Sequence, residues 1–255
     1  MSTINADLLG RKVAEARSRF YVRVGIFCAA VGIAGFLPSY WIPMARGGLG
    51  APPLAHLHAL LFYGWLLFFV CQASLVSSGD VARHRRWGVF GVALATAMCF
   101  VGIGLAISSI KHFEGLGMGP AARSFSVVPV SVILVFAGLF AAALLNIRNP
   151  EIHKRCMLSA TATLLQPAFG RWFLLLLAPA GPPAPPPTFV SIGPGILSDL
   201  IVVVAMLHDR KSIGHVHRSY WIALAVMVGT QVIRIPLGMT SGWDAVARGL
   251  VALSP

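Results

Sequence analysis

Long apolar stretches alternate along the chain with short polar stretches rich in Gly and Pro. Seven apolar stretches of about 20 residues run over roughly 20–38, 54–77, 86–109, 126–147, 156–178, 189–208 and 219–239. At about 1.5 Å per residue, each is long enough for a hydrocarbon core of about 30 Å. The pattern predicts an all-α, polytopic bundle of seven transmembrane helices. The longest connections, about 39–53 and 110–125, are too short to fold alone. The run Pro179–Pro187 predicts a stiff, polyproline-like connector. Before the first apolar stretch, Leu9, Val13 and Ala16 share one helical face, which predicts a short surface helix over 5–18. No small-residue cleavage site closes the first stretch, so it reads as a retained helix. The resulting division is a cytoplasmic segment 1–19, a seven-helix domain 20–239 and a short outer tail 240–255.

Composition strengthens this picture. The chain is 57% hydrophobic and only 11% charged, with mean hydropathy +0.79, whereas soluble domains carry about 25% charged residues. The net charge of +12 invites a nucleic-acid partner, but the basic residues sit at helix ends, where topology accounts for them. With the N-terminus cytoplasmic, only Arg46, Lys111, Arg123 and Arg248 fall outside, and Arg171 and Arg234 fall within helices; the rest of the 20 Lys and Arg lie inside. That asymmetry predicts an outer C-terminus and an odd number of crossings. The lipid bilayer is the expected partner, joined by a membrane-protein partner or a second copy, with no nucleic acid. Cys28, Cys71, Cys99 and Cys156 lie in or beside apolar stretches, and no Cys-x-x-Cys occurs. Neither a disulfide framework nor a thiolate metal site follows.

The stretch 54–77 carries the first candidate chemistry. At about 100° per residue, His58, Trp65 and Gln72 fall on one stripe, while His56 points elsewhere. A polar stripe is unfavourable against lipid, so it predicts contact with protein, water or a ligand. Arg171, Asp199, Gln231 and Arg234 are the other intramembrane polar residues. Counted along straight helices, Arg171 and Arg234 each lie 16 residues beyond a basic helix start, about 24 Å in. They reach the depth of His58, with Asp199 nearer the midplane. Arginine forks suit carboxylates or phosphates, and a quinone head suits the stripe beside them. Paired with Asp199, one of these arginines is instead structural, with the other reaching to headgroups.

Three helices expected to start on the cytoplasmic side begin with histidine and basic residues: His84-Arg85-Arg86, His153-Lys154-Arg155 and His217-Arg218. These read either as interfacial anchors or as imidazoles able to hold a metal, with His84 and His153 the pair of interest. They allow one heme b at that side; the outer side offers no matching pair. On the face His84, Gly88, Gly91, Ala95, Met98 and Gly102, small residues predict close helix packing. No nucleotide-binding loop or hydrolase motif occurs, and no residue set defines a catalytic role.

The segments Pro53-Leu54-Ala55-His56-Leu57-His58, Trp65, Gln72, Leu75, His84-Arg85-Arg86-Trp87-Gly88 and Glu151-Ile152-His153-Lys154-Arg155-Cys156-Met157-Leu158 resemble a bacterial family of uncharacterised seven-helix membrane proteins. Asp199 and Arg234 also resemble family positions. Trp87 replaces the usual leucine. The resemblance implies the bacterial inner membrane and carries no activity. A looser similarity to b-type cytochromes and oxidase-assembly membrane proteins rests on helix-end histidines. Three functional readings follow: a protein handling heme b or a quinone through its His and Arg residues, a transporter or binding protein for a small anionic or lipid-like molecule, and an accessory or assembly subunit without chemistry.

Overall fold

The computed structural model describes residues 3–177 and 184–254, with side chains from Arg19 onward. The fold is all-helical, with no strand among the described residues. Helix α1 (Thr3–Phe36) passes into a π-helical turn (Leu37–Trp41) and the single turn α2 (Ile42–Ala45). It is followed by α3 (Pro53–Ser77), α4 (Val81–Gly115), α5 (Gly119–Leu145), α6 (Pro150–Thr163) and α7 (Gln166–Leu177). A 3-10 turn (Thr188–Ser191) then leads into α8 (Ile192–Ile213), α9 (Arg218–Leu237) and α10 (Ser241–Ala252). Six helical stretches are long and apolar enough to cross a membrane: Arg19–Ala45, Pro53–Ser77, Val81–Gly115, Gly119–Leu145, Thr188–Ile213 and Arg218–Leu237. Phe100, Val89 and Leu145 are among the large apolar side chains left facing outward, as a lipid surround demands.

Helix starts follow their local chemistry. Asp80 caps α4 by accepting from the Arg83 N–H at 3.0 Å, and Asn149 caps α6, with Pro150 at its first position. His217 and Thr240 cap α9 and α10. The expected surface helix over 5–18 is continuous with α1; its proposed apolar face, Leu9, Val13 and Ala16, lies outside the described side chains. Of the proline run, residues 179–183 lie outside the described residues, while Pro187 has polyproline-like angles (φ −59, ψ 147).

Helices α1, α3, α4 and α5 pack in sequence, α6 lies against α5, α8 and α9, and α7 sits against α1 and α8. Small residues set the closest approaches. A Cβ on Gly35 would lie 2.7 Å from the Ala168 Cα, so α1 and α7 nearly touch through their backbones. Gly91 and Gly102 of the predicted α4 stripe meet Phe68 and Ile133, whereas Gly88 meets nothing within 4 Å.

The stretch 156–178 departs from the expected continuous helix. Residues 164 and 165 form a turn, leaving α6 and α7 as two short helices. The cause is Pro167, which has no N–H for the Thr163 carbonyl and disfavours helical angles at Gln166. Thr161 and Thr163 turn their hydroxyls back onto the Met157 and Ser159 carbonyls at 3.0 and 3.1 Å, which loosens the same turn. Leu164 and Leu165 are buried, so the interruption lies inside protein, where a membrane fold tolerates it.

Two ion networks tie the ends of the bundle. At the end carrying His84, His153 and His217, called here the basic end, Arg155 of α6 is fully buried. It makes a two-pronged pair with Asp209 of α8, Nε–Oδ2 2.7 Å and Nη2–Oδ1 2.8 Å. Glu151 accepts from Arg155 at 2.6 Å and from Lys154 at 2.6 Å. Tyr21 and Tyr220 join α1 to α9, O–O 3.3 Å. At the far end, residues 241–252 form a docked helix within the expected outer tail. Arg123 of α5 bonds Asp244 through Nε and Glu114 through Nη1, and Arg248 completes the Asp244 carboxylate at 2.7 Å. Trp243 donates to the Arg123 carbonyl at 2.9 Å, and Lys111 donates to the Ser254 carbonyl at 2.9 Å.

Removing one partner of the buried pair strands the other. Arg155→Met is expected to cost about 3–5 kcal/mol, and Arg155→Met with Asp209→Leu to recover most of it, read as thermal unfolding in detergent. At the far end, hydrogen bonds from Arg123 and then Arg248 hold the Asp244 carboxyl below its usual range. A lowered folded-state value means this clamp is complete above the ordinary carboxylate value, near 3.9, and is lost only as pH falls through the lower one. Hydrogen exchange of 241–252, corrected for intrinsic rate, should therefore stay slow from neutral to mildly acidic pH. Asp244→Asn should exchange quickly throughout.

Candidate functional site

The helix α3 stripe divides by role. Trp65 is 1% exposed; its Nε1 donates to Thr161 Oγ1 at 3.2 Å and its ring meets Phe136 and Phe140 edge-on at 5.2 and 5.6 Å. It pins α3 to the turn before the interruption, a packing role. His58 stacks on Phe62 at 3.9 Å between ring centres, and its buried Nδ1 has no hydrogen-bond partner among the described residues. Gln72 is buried, and both atoms of its amide head also lack partners among the described residues. Buried polar groups are nearly always paired, so these atoms mark positions where the fold alone leaves chemistry unused.

Arg171 and Arg234 have different surroundings and share no contact partner among the described residues. Arg171, on α7, is exposed at the protein surface and lies over the Phe36 ring at 5.4 Å. It makes no hydrogen bond or ion pair among the described residues. Around it, Trp41 donates to the Tyr63 hydroxyl at 3.1 Å, and that hydroxyl donates to the Gly32 carbonyl at 3.4 Å. Trp172 donates to the Ala34 carbonyl at 3.2 Å. The π-helical turn at Leu37–Trp41 presents Trp41 and Tyr40 to α3, where the Tyr40 hydroxyl also bonds His56 Nδ1 at 2.9 Å. His56 is thus held at the rim, apart from the stripe.

Arg234, on α9, is 2% exposed. It donates through Nη1 to Gln166 Oε1 at 3.0 Å and through Nη2 to the Ser191 carbonyl at 3.1 Å, and its Nε has no partner among the described residues. No carboxylate oxygen lies within 4 Å of it among the described residues, so Asp199 is not its ion-pair partner. Asp199 instead accepts from Gln231 Nε2 at 3.0 Å. A Cβ on Gly195 would lie 2.5 Å from the Gln231 amide oxygen, so this glycine makes room for the head group. Ser198 donates to the Ala162 carbonyl at 2.5 Å, tying α8 to the last turn of α6. Arg234, Gln166, Ser191, Gln231 and Asp199 thus form a polar cluster beside the interrupted segment.

At the basic end His84 and His153 meet, ring centres 6.3 Å apart and planes at 87°. His215 bonds the Ile213 carbonyl, and His208 stacks on Phe20. Among the described residues no three His, Cys, Asp or Glu come together as a metal site. Ser191, Thr161, Tyr63 and Phe36 were not candidates from sequence. Gln166-Pro167 was the signal that could have located the interruption and, with it, the partner of Arg234.

No protein-family model matches this chain, no curated protein matches it and no solved structure matches it. Its class therefore rests on its own construction, an all-helical, multi-pass membrane protein by the length and apolarity of six helices, with polar clusters inside the bundle.

The Asp199–Gln231 bond is the only one recorded to that carboxylate among the described residues. Gln231→Leu is expected to lower stability by about 1–2 kcal/mol, seen as a lower unfolding temperature in detergent, while Gln231→Glu paired with Asp199→Asn should restore it.

Proposed function

We propose that this protein binds a lipid-soluble ligand with an acceptor-rich head, of which a quinone is the type, at the surface carrying Arg171, Phe36 and His58. The carrying observation is Arg171, a guanidinium over the Phe36 ring with no acceptor among the described residues, together with His58 of α3, whose buried Nδ1 also has none among them. Aromatic rings at Phe36, Tyr63 and Trp41 supply flat apolar walls. Outward exposure of Arg171 and Trp172 gives a route from the lipid. Small-molecule sites join mostly apolar walls to a few placed polar groups, which is this composition. On this reading the basic end is cytoplasmic, α6 and α7 together make a seventh crossing, and the membrane is a bacterial inner membrane. The distribution of Lys and Arg supports that orientation.

A second reading is favoured by the interruption itself. Discontinuous membrane helices line substrate sites in transporters, and Arg234 beside α7 keeps an unused Nε donor. A small anion binding there would make the protein a transporter, with Asp199 and Gln231 adjoining its path.

The first reading predicts that a short-chain benzoquinone quenches the tryptophan fluorescence of the protein in nanodiscs saturably. Arg171→Ala and His58→Leu should each weaken binding by about tenfold or more, the value of one charge-assisted hydrogen bond, with unfolding temperature unchanged. Equal binding by wild type and both variants rejects this surface as the binding site. Arg234-dependent uptake of an anion by proteoliposomes, without quinone binding, establishes the second reading in its place.

A further inference from the structure

We propose that α10 is an interfacial helix, lying across the far end of the bundle with one apolar stripe seated in the bilayer surface, and that phospholipid is the partner of that stripe. The proposal rests on the membrane class alone and is independent of what binds beside Arg171 or Arg234.

The two ends of α10 are tied at the same level. At its start, Trp243 donates to the Arg123 carbonyl and Asp244 accepts from the Arg123 side chain. Arg123 lies four residues after the start of α5 at Gly119. Just past the end of α10, the Ser254 carbonyl accepts from Lys111, four residues before the end of α4 at Gly115. Four residues are about 6 Å of helix, whereas α10 spans about 18 Å. Running along α4 or α5, it would have its two ends at levels about 18 Å apart. Fixed instead at equal depth, it lies across the mouth of the α4–α5 hairpin, in the plane of the membrane that those helices cross. Its cap, Thr240, follows the end of α9 at Leu237 by three residues, so α10 begins where a membrane-crossing helix leaves the hydrocarbon.

At about 100° per residue, α10 has three faces. The docked face carries Trp243, Asp244 and the fully buried Ala247. A second face carries Ser241 and Arg248, whose polar groups suit water. The third carries Gly242, Val246, Gly249 and Leu253, spaced four, three and four residues apart, with Met239 in line seven residues before Val246. It has no polar side chain, and Met239, Val246 and Leu253 are 79%, 51% and 84% exposed. A helix lying at a bilayer surface meets bundle, water and lipid at once, and these three faces match them.

The open stripe continues the apolar surface of α9. Val232, Ile233 and Leu237 face outward, and Arg234, the one charged residue between them and Met239, is buried. Three side chains offer far less than the about 800 Å² per partner of a stable protein interface. Lipid therefore suits the stripe, and a second copy of the chain does not. An interfacial helix buries such a face about 5–10 Å into the headgroup and acyl boundary, while the Arg123–Asp244 clamp holds the opposite side against the bundle.

The test uses the full-length protein in nanodiscs of a single phosphatidylcholine. The photoreactive residue p-benzoylphenylalanine is placed at Val246, Leu253 or Arg248 in turn, and intact mass is read after illumination. All three positions are exposed, so unfolding temperatures should match wild type. Positions 246 and 253 are expected to gain the mass of one phosphatidylcholine, and position 248 to remain without it. Should one labelled stripe variant lose the wild-type unfolding temperature, the other decides. The proposal is overturned if 246 and 253 take up no more lipid mass than 248 does. It is equally overturned if they crosslink to a second copy of the chain in place of lipid.

Discussion

One missing backbone N–H governs the middle of this molecule. In an apolar surround a peptide carbonyl without a partner costs several kcal/mol, and Pro167 leaves the Thr163 carbonyl without its helical donor. The bundle accommodates this by burying the interruption behind Leu164 and Leu165 and by bringing polar side chains to it. Ser198 bonds the Ala162 carbonyl from α8, Trp65 bonds Thr161 from α3, and Arg234 reaches Gln166 from α9. Three neighbouring helices therefore converge on one defect. Helix α7 then lies against α1 closely enough that Gly35 has room for no side chain. The same displacement carries Arg171 to the surface over Phe36, away from Arg234.

The basic end shows how charge is used where helices terminate. Arg155 is placed without solvent between α6 and α8, which is tolerable only because Asp209 meets its fork with both oxygens and Glu151 adds a third contact. That lock sits two residues from His153, and the Ala143 carbonyl orients the same imidazole from α5. Position and ring orientation of His153 are thus set by different elements. His84 lacks such support at Nδ1, so the two members of the pair are unequally satisfied.

The sequence disclosed those features that follow from local composition. Six long apolar helices, the His-Arg starts of α4 and α9 and the packing face of Gly91 and Gly102 all express length or period. So does the inward turn of Trp65, although its partner Thr161 lies 96 residues away and could not be named. The interruption shows in the sequence only as Pro167 within a long apolar run, and a single proline does not by itself end a membrane helix. Once the helix is broken, depth counted from Arg155 to Arg171 loses its phase, and the single arginine layer divides into two sites. Arg155–Asp209 spans 54 residues and connects two helix ends that each look like ordinary interfacial charge. Residues 240–255 read only as a short tail, because the docking of α10 depends on Arg123, 121 residues before Asp244.

The unsatisfied polar atoms have a common logic. His58 and Gln72 stand at opposite ends of α3, each with buried nitrogen or oxygen unused, while Trp65 between them is fully engaged. Had the stripe served only to hold helices together, its three members would be expected to be paired alike, since an orphaned buried amide in lipid has no water to fall back on. Packing explains the centre of the helix and leaves both ends unexplained. A bound group at either end would supply the missing partners, and the two ends differ in what they can accept. Beside Arg171 lie the Phe36 ring and the outward-facing Trp172, and beside His84 lies a second imidazole. The two ends of α3 thus have chemically different surroundings, with the fully engaged Trp65 between them.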